Sequence, residues 1–400
     1  MINILDKQDC CGCSACIQVC PKQCITMLED KEGFLYPQVN TYDCIDCHLC
    51  EKVCPVLHSG KPRKPLNVYA AKNKDRKIRL QSSSGGVFSS LAEAIINAGG
   101  VVFGAKFDEE WKVVHGYTET KDGIADFRGS KYVQSWMGDN FSKVKYFLDN
   151  GRKVLFSGTP CQVAGLRSFL RRDYSSLITV DLVCHGVPSE KMLYDDIQKI
   201  VEKRKLHNYD LKVSFRCKKE NEELKWGVFL TPSTNTTSGI IIGAEYPYDY
   251  YIAGFMCGLF YRECCYSCRY ANPQRVSDIT IGDYWGIGET FLDIGKGVSA
   301  VLLNTEKGIC FFEQCKDSFE YEERELEEVI RGNGQLQYPS PKHKKHQLFR
   351  NLYPRLGFTR AVRRCLFSFY VRYYMIESVR NRLRRIPFIY RFYRSVKKFI

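Results

Sequence analysis

Two runs of cysteine hold the most specific chemistry in the chain. They are Cys10-x-x-Cys13-x-x-Cys16-x-x-x-Cys20-Pro21 and, 34 residues on, Cys44-x-x-Cys47-x-x-Cys50-x-x-x-Cys54-Pro55. Three thiolates at this pitch wrap a tight loop around one face of an iron–sulfur cubane. The fourth is carried off by the next helical turn and ligates the other cluster. The spacing therefore predicts two 4Fe-4S clusters, one on Cys10, Cys13, Cys16 and Cys54 and one on Cys44, Cys47, Cys50 and Cys20. Zinc also uses paired C-x-x-C units, but it does not call for two complete three-plus-one runs, each ending in Cys-Pro. Cys11 and Cys24 fall outside the pattern and read as small buried hydrophobes beside the clusters.

Such a repeat implies two similar halves related by pseudo-symmetry, an α+β two-cluster unit of ferredoxin type over residues 1–60. Ser59-Gly60-Lys61-Pro62-Arg63-Lys64-Pro65 then has linker chemistry. Twenty cysteines in 400 residues exceed what packing needs. Met1 to Asp6 shows no basic region, apolar stretch or cleavage site of a signal peptide. The expected compartment is thus the reducing cytoplasm, where clustered cysteines bind metal rather than pair as disulfides. No run approaches the roughly 18 apolar residues of a membrane-spanning helix.

A second unit, residues 67–340, alternates helix-like and strand-like runs and reads as α/β. Helical spacing from Val87 to Asn97 leads through Gly99-Gly100 into a strand over Val101 to Phe107. Lys153 to Phe156 reads as a short buried strand, followed by Ser157-Gly158-Thr159-Pro160-Cys161 and a helix to Leu170. Leu177 to Val183 ends at Cys184-His185-Gly186, and Ser189 caps a helix reaching about Lys205. Further strands are expected over 211–216, 226–231, 278–282 and Val298 to Asn304, with a helix over 306–315.

Gln81-Ser82-Ser83-Ser84-Gly85-Gly86 opens the helix at Val87 with small hydroxyls and glycines. A helix N-terminus of that kind is an anion site, suited to a cofactor pyrophosphate. Plain serine capping explains the motif taken alone rather better. Gly158 and Thr159 form a second small-residue turn beyond a strand, where ligands sit in α/β sheets. Cys161 and Cys184 at two strand ends, with Cys265-x-x-Cys268 in an aromatic loop, suggest a third metal centre. The best four are Cys161, Cys184, Cys265 and Cys268, with Cys264 as a substitute. His185 is a weak catalytic candidate as proton donor, against the blander role of a hydrogen-bonded loop histidine. Asp283 and Trp285 read either as cofactor-lining or as turn and core residues.

These motifs, together with Gly129-Ser130-Lys131-Tyr132-Val133, Gln162-Val163-Ala164-Gly165-Leu166 and Asp278-Ile279-Thr280-Ile281-Gly282-Asp283-Tyr284-Trp285-Gly286, run in one order over residues 67 to about 305. The chain thereby resembles the coenzyme F-420 hydrogenase/dehydrogenase beta-subunit family, fused to an N-terminal ferredoxin domain. The resemblance implies an FAD-binding α/β domain that also carries a third 4Fe-4S cluster. It implies cofactor contacts at Ser83, Ser84, Gly85 and Gly86, with Ser130 and Lys131 supplying more; Lys131 can meet a phosphate as a point charge. Coenzyme F-420 or another organic molecule would be the acceptor.

The net charge of +14 is concentrated in residues 341–400, where seventeen Lys and Arg face one acid, Glu377. Val362, Leu366, Phe369, Tyr373, Ile376 and Leu383 recur at three-and-four spacing between arginines, and Pro387 precedes a shorter amphipathic piece from Phe388 to Ile400. A basic amphipathic helical tail of this kind suits an anionic membrane surface at the inner face of the cell membrane. That reading is placed just ahead of self-packing on the redox domain, and nucleic acid is placed last. The expectation is a cytoplasmic iron–sulfur flavoprotein oxidoreductase taking electrons from a ferredoxin-type donor through clusters to FAD. The alternative is a non-catalytic electron-relay subunit of a larger hydrogenase or dehydrogenase.

Overall fold

The computed structural model describes residues 1–58, 60–206, 210–218, 224–232, 242–287 and 297–384, the stretch 377–384 as backbone only. The N-terminal part holds α1 (Ala15–Val19), the antiparallel hairpin of β1 (Ile25–Glu29) and β2 (Leu35–Val39), and α2 (Leu49–Lys52). Its two halves repeat in backbone as well as in cysteine. Gly12 and Ser14 have φ of 69° and 64°, and Asp46 and His48, each 34 positions later, have 50° and 57°. These left-handed residues turn successive amides inward, as a loop around an anionic group requires.

The larger part begins with β3 (Asn67–Asn73), α3 (Arg76–Gln81), α4 (Val87–Asn97), β4 (Val101–Phe107), β5 (Val113–Thr118), α5 (Ile124–Phe127) and α6 (Asn140–Asp149). It continues with β6 (Val154–Gly158), α7 (Pro160–Leu170), β7 (Leu177–Leu182), α8 (Glu190–Arg204), β8 (Leu211–Cys217), β9 (Lys225–Pro232) and α9 (Tyr250–Met256). β10 (Ile279–Asp283), β11 (Ser299–Leu303), α10 (Glu306–Cys315), β12 (Phe319–Glu323) and α11 (Leu326–Gly332) complete it.

Eight strands form one sheet in the order β12-β3-β11-β10-β7-β6-β4-β5, and β8 pairs with β9 apart from it. The central four, β10, β7, β6 and β4, run parallel, and antiparallel strands flank them. Helices cover both faces, so the central strands are buried on both sides rather than alternating, Thr179, Asp181 and Thr280 included. Phe141, Val144, Val163 and Leu166 of α6 and α7 pack on Phe103 and Phe156. Leu91, Ile95, Phe311 and Phe312 of α4 and α10 pack on Val102, Leu155 and Ile178 from the other side. Asp278 pins β10 to β7 by accepting from the Thr179 amide (2.9 Å), the Thr179 hydroxyl (2.7 Å) and Arg167 (3.0 Å). Part of the 278–286 motif is therefore a structural clamp.

The N-terminal part is docked onto this sheet. Gln18 of α1 accepts from the Phe141 and Ser142 amides at the start of α6 (2.9 and 3.1 Å). Gly165 of α7 leaves room for the first cysteine loop: a Cβ there would stand 3.0 Å from the Cβ and Sγ of Cys13.

The C-terminal segment forms α12 (His346–Leu356), α13 (Phe358–Cys365) and α14 (Phe367–Arg384). Here the structure reverses the order of the two favoured readings of the tail. Phe349, Tyr353, Phe358, Val362 and Leu366 are buried with α8 and α9 in one core. Arg350 pairs with Glu32 of the N-terminal part and with Glu263 beside the third cysteine group, both at 2.8 Å. The arginines that suggested a lipid face thus flank an apolar side that the protein itself covers. Apart from Leu348 of α12, the exposed large apolar side chains of the described tail are on α14, and Ile376, expected on the covered stripe, is 47% exposed. Pro387 and the stretch from Phe388 to Ile400 lie outside the described residues, as does the Leu383 side chain. No described helix is long and apolar enough to cross a membrane.

Candidate functional site

Each cysteine run folds around its own hollow, and the fourth cysteine of each run lines the hollow of the other. One hollow is lined by Cys10, Cys13, Cys16 and Cys54, with Cys11 beside them. The other is lined by Cys20, Cys44, Cys47 and Cys50, with Cys24. Four thiols on each hollow are the donor set a cubane takes. Among the described residues no three His, Cys, Asp or Glu side chains converge tightly enough to hold a single metal ion.

A third group of thiols lies where α7 begins and β7 ends. Cys161 is pushed well up in pKa by the neighbouring Cys11 thiol and by burial, with Cys264 also contributing. Cys184 is pushed up to about 12 by burial, then by Cys161 and Cys268. Cys268 is likewise raised to about 12 by burial and Cys161, and it also senses Cys264. The expected member Cys265 packs against the aromatic core beside Tyr261 and Tyr266. The short 3-10 turn over Glu263–Ser267 carries both Cys264 and Cys265, and their thiols are in hydrogen-bond contact. Cys161 and Cys268 both sense the substitute, Cys264. Cys11 is more than filler, since it lies between the first hollow and Cys161.

From Cys184 a cavity of about 310 Å³ runs along the carboxyl ends of the parallel strands. Ser83, Ser84, Gly86, Ser130, Lys131, Gly158, Thr159 and His185 all line it. Gly85 does not, and the expected cofactor contact there is corrected. Its amide donates to Ser299 Oγ (3.0 Å), its carbonyl accepts from the Asn73 amide (2.7 Å), and a Cβ would stand 2.3 Å from the Ala71 carbonyl. It is glycine so that the loop can lie against the sheet. The serines are occupied too: Ser83 Oγ accepts from the Ser130 amide (2.6 Å) and Ser84 Oγ donates to the Val298 carbonyl (2.7 Å). No side chain caps α4, whose N-cap is Gly86 at φ 85°. Serine capping is therefore not what the motif does. The first residues of α4, Val87, Phe88 and Ser89, line the cavity, where free amides favour an anion.

Lys131 stands across from that helix end. Its ammonium donates to the Asp126 and Arg128 carbonyls, both at 2.9 Å, and burial pushes its pKa down to about 7. A wider cleft lined by Lys106, Arg128, Lys131 and Lys212 opens from the same loop. At the inner end, Gln162 Nε2 donates to Ser135 Oγ (2.9 Å), whose hydroxyl meets His115 Nδ1 (2.9 Å). His115 Nε2 faces the Ser157 carbonyl at 3.1 Å, so the proton sits on Nε2, and burial drives the ring's pKa down to about 4. His185 has only its backbone carbonyl bonded, by Ser340 Oγ at 2.5 Å; among the described residues nothing hydrogen-bonds its ring, which burial keeps below the usual histidine pKa.

Sequence reasoning missed the aromatic wall and its arginine. Arg216 of β8 makes a two-pronged pair with Asp283 of β10 (2.9 and 2.6 Å), donates to Tyr132 Oη (2.6 Å) and the Ser83 carbonyl (2.9 Å), and lies 4.0 Å over the Trp226 ring. Trp285 faces Trp226 at 6.1 Å between ring centroids. Asp283 and Trp285 thus belong to the cavity wall. Arg216 carried no motif, because its role comes only from the hairpin folding over the sheet.

Comparison with known sequence families gives three matches. Residues 68–139 match "Coenzyme F420 hydrogenase/dehydrogenase, beta subunit N-term", and residues 151–329 match the C-terminal part of the same subunit. Residues 9–57 match "4Fe-4S dicluster domain". No curated protein matches the chain. Among solved structures, a chain of the xenon-derivatised F420-reducing NiFe hydrogenase complex from Methanosarcina barkeri aligns at 18% identity and a TM-score of 0.43, over 69% of this chain and 87% of that one.

Proposed function

Because the chain belongs to the coenzyme F-420 hydrogenase/dehydrogenase beta-subunit family and carries a 4Fe-4S dicluster domain, we propose that it is an iron–sulfur flavoprotein oxidoreductase. It takes electrons from a ferredoxin-type donor through 4Fe-4S clusters to FAD, and on to a deazaflavin such as coenzyme F-420 or another organic acceptor. The carrying observation is the cavity that joins the uncapped end of α4 and Lys131 to Cys184 of the third thiol group. The ligands assigned are Cys10, Cys13, Cys16 and Cys54, then Cys20, Cys44, Cys47 and Cys50, and for the third centre Cys161, Cys184, Cys264 and Cys268.

Flavin bound in the cavity would supply the exchange between one-electron and hydride chemistry. The chain's own groups bind and orient it. The α4 amides and the Lys131 ammonium hold an anionic group at one end. Trp226 and Trp285 offer flat apolar faces. Gln162, Ser135 and His115 keep a fixed polar floor, and His115 retains its Nε2 proton on the Ser157 carbonyl. His185, unbonded at its ring among the described residues, holds a proton position open toward the cavity.

An anaerobic visible spectrum and an iron assay on the purified full chain test this reading. Bound or bindable flavin with about twelve irons per chain, at four per cubane, is the expected result. Absence of both bound and bindable flavin overturns it. Flavin present, with no acceptor turned over until a partner protein is added, moves the assignment to an electron-relay subunit. For the tail, the reading is narrowed to α14, whose outward Phe367, Val371, Tyr374 and Met375 beside exposed Arg372 suit an anionic membrane surface.

A further inference from the structure

We infer that Arg262 is a fixed cation that raises the reduction potential of the cluster on Cys10, Cys13, Cys16 and Cys54, making it the electron's resting place beside the third thiol group. The inference rests on the ligand assignment just given.

Arg262 is completely buried. Its Nε donates to the Cys10 carbonyl (2.7 Å), and one terminal nitrogen donates to Cys10 Sγ (3.3 Å) and the Leu35 carbonyl (2.9 Å). The other donates to Gln134 Oε1 (3.1 Å), and the guanidinium lies 4.2 Å over the Tyr36 ring. Among the described residues no Asp or Glu pairs with it. A buried cation without a counter-ion is costly, and the acidic groups that act on this one are the Cys10 thiol first, then Tyr36, Cys264 and Cys11. The sequence also keeps it close to the third group, since Arg262 stands two residues before Cys264.

A cluster with four thiolates is anionic, and each electron it accepts adds one more negative charge. A nearby positive charge and a hydrogen bond to a ligand sulfur both favour the reduced form. The second hollow has one such sulfur bond, from the Ile2 amide to Cys50 Sγ (3.2 Å), but among the described residues it has no buried cation. Its basic groups are Lys22, exposed to water, the Met1 ammonium, which is paired with Glu51 (2.9 Å) and Asp46 (3.3 Å), and His48, which meets the same two carboxylates. Asp9 lines the first hollow, but from the solvent side, where water screens it. The asymmetry therefore favours the cluster nearer the cavity.

The test is an anaerobic dithionite titration of the full-length protein followed by electron paramagnetic resonance, with the first cluster identified as the signal lost in Cys13→Ala. Arg262→Gln should lower that cluster's midpoint potential and leave the second cluster's in place. Arg262→Lys, which keeps the charge without the fork, should restore most of the loss. Gln134→Glu supplies the missing counter-ion while Arg262 stays, so it should lower the same potential; it decides the matter if Arg262→Gln does not load with iron. Unchanged potentials in the variants that load, or equal shifts of both clusters, overturn the inference. The titration needs no flavin, so it stands apart from a failure of the flavin reading. A wild-type protein with no cluster at the Cys10 set would instead overturn the ligand assignment.

Discussion

Lys131 and Cys264 are single residues whose settings make measurable demands. Burial lowers the Lys131 pKa to about 7. Below that pH the ammonium is present and binds an anion directly. Above it, binding must first take up a proton, so affinity for FAD should fall as pH rises, by up to ~10-fold per pH unit. Flavin titration of the flavin-free protein from pH 6 to 9 checks this, and Lys131→Met should bind more weakly with a flattened profile. For the third thiol group the choice of Cys264 over Cys265 is directly testable. Cys264→Ser should lose about four irons per chain, and Cys265→Ser should keep them, by iron assay on protein purified without oxygen. Equal losses would return Cys265 to the ligand set.

At the scale of elements, α7 ties chemistry to architecture. It starts at Cys161's strand end, and one turn later Gly165 lets the Cys13 loop settle against it. Gly165→Val would push side-chain atoms into Cys13. It should cost about 1–3 kcal/mol by overpacking and release the first cluster sooner in a denaturant series, with visible absorbance lost before far-ultraviolet ellipticity. Simultaneous loss of both signals would argue that the domain interface is no weaker than the fold itself. Elements of this sort were legible beforehand where sequence periodicity is local. The α4 and α10 spans and the strand at Val101–Phe107 follow from runs of apolar residues between glycines or caps. The cysteine loops were legible because ligand spacing is set by the cubane. Illegible were the flanking strands β3, β5 and β12, whose pairing is wholly non-local. Arg216 and Arg262 were hidden for a related reason: their partners are 67 and 252 positions away. Preferring Cys264 to Cys265 rests on its nearness to Cys161 and Cys268, which spacing does not encode.

The whole molecule is a two-cluster unit and a redox sheet held together by a C-terminal strap, and this changes what a truncation can test. A chain ending at residue 340 would uncover the partners of Phe349, Tyr353, Phe358, Val362 and Leu366. Burying each such side chain contributes about 1.5–3 kcal/mol, and a whole domain is stable by only about 5–15 kcal/mol. That truncation should therefore fail to fold or should aggregate, and its loss from any membrane fraction would say nothing about lipid. The informative variant leaves α12 and α13 intact and changes Phe367, Val371, Tyr374 and Met375 together to serine. These side chains are between 41% and 65% exposed, so folding should be preserved. If α14 lies on anionic lipid, the wild-type chain floats with phosphatidylserine-containing vesicles and the serine variant does not. Raised salt should also weaken flotation, because the arginines act through a screened field. Equal flotation of the two proteins, or flotation of neither, would leave the strap with a structural role alone.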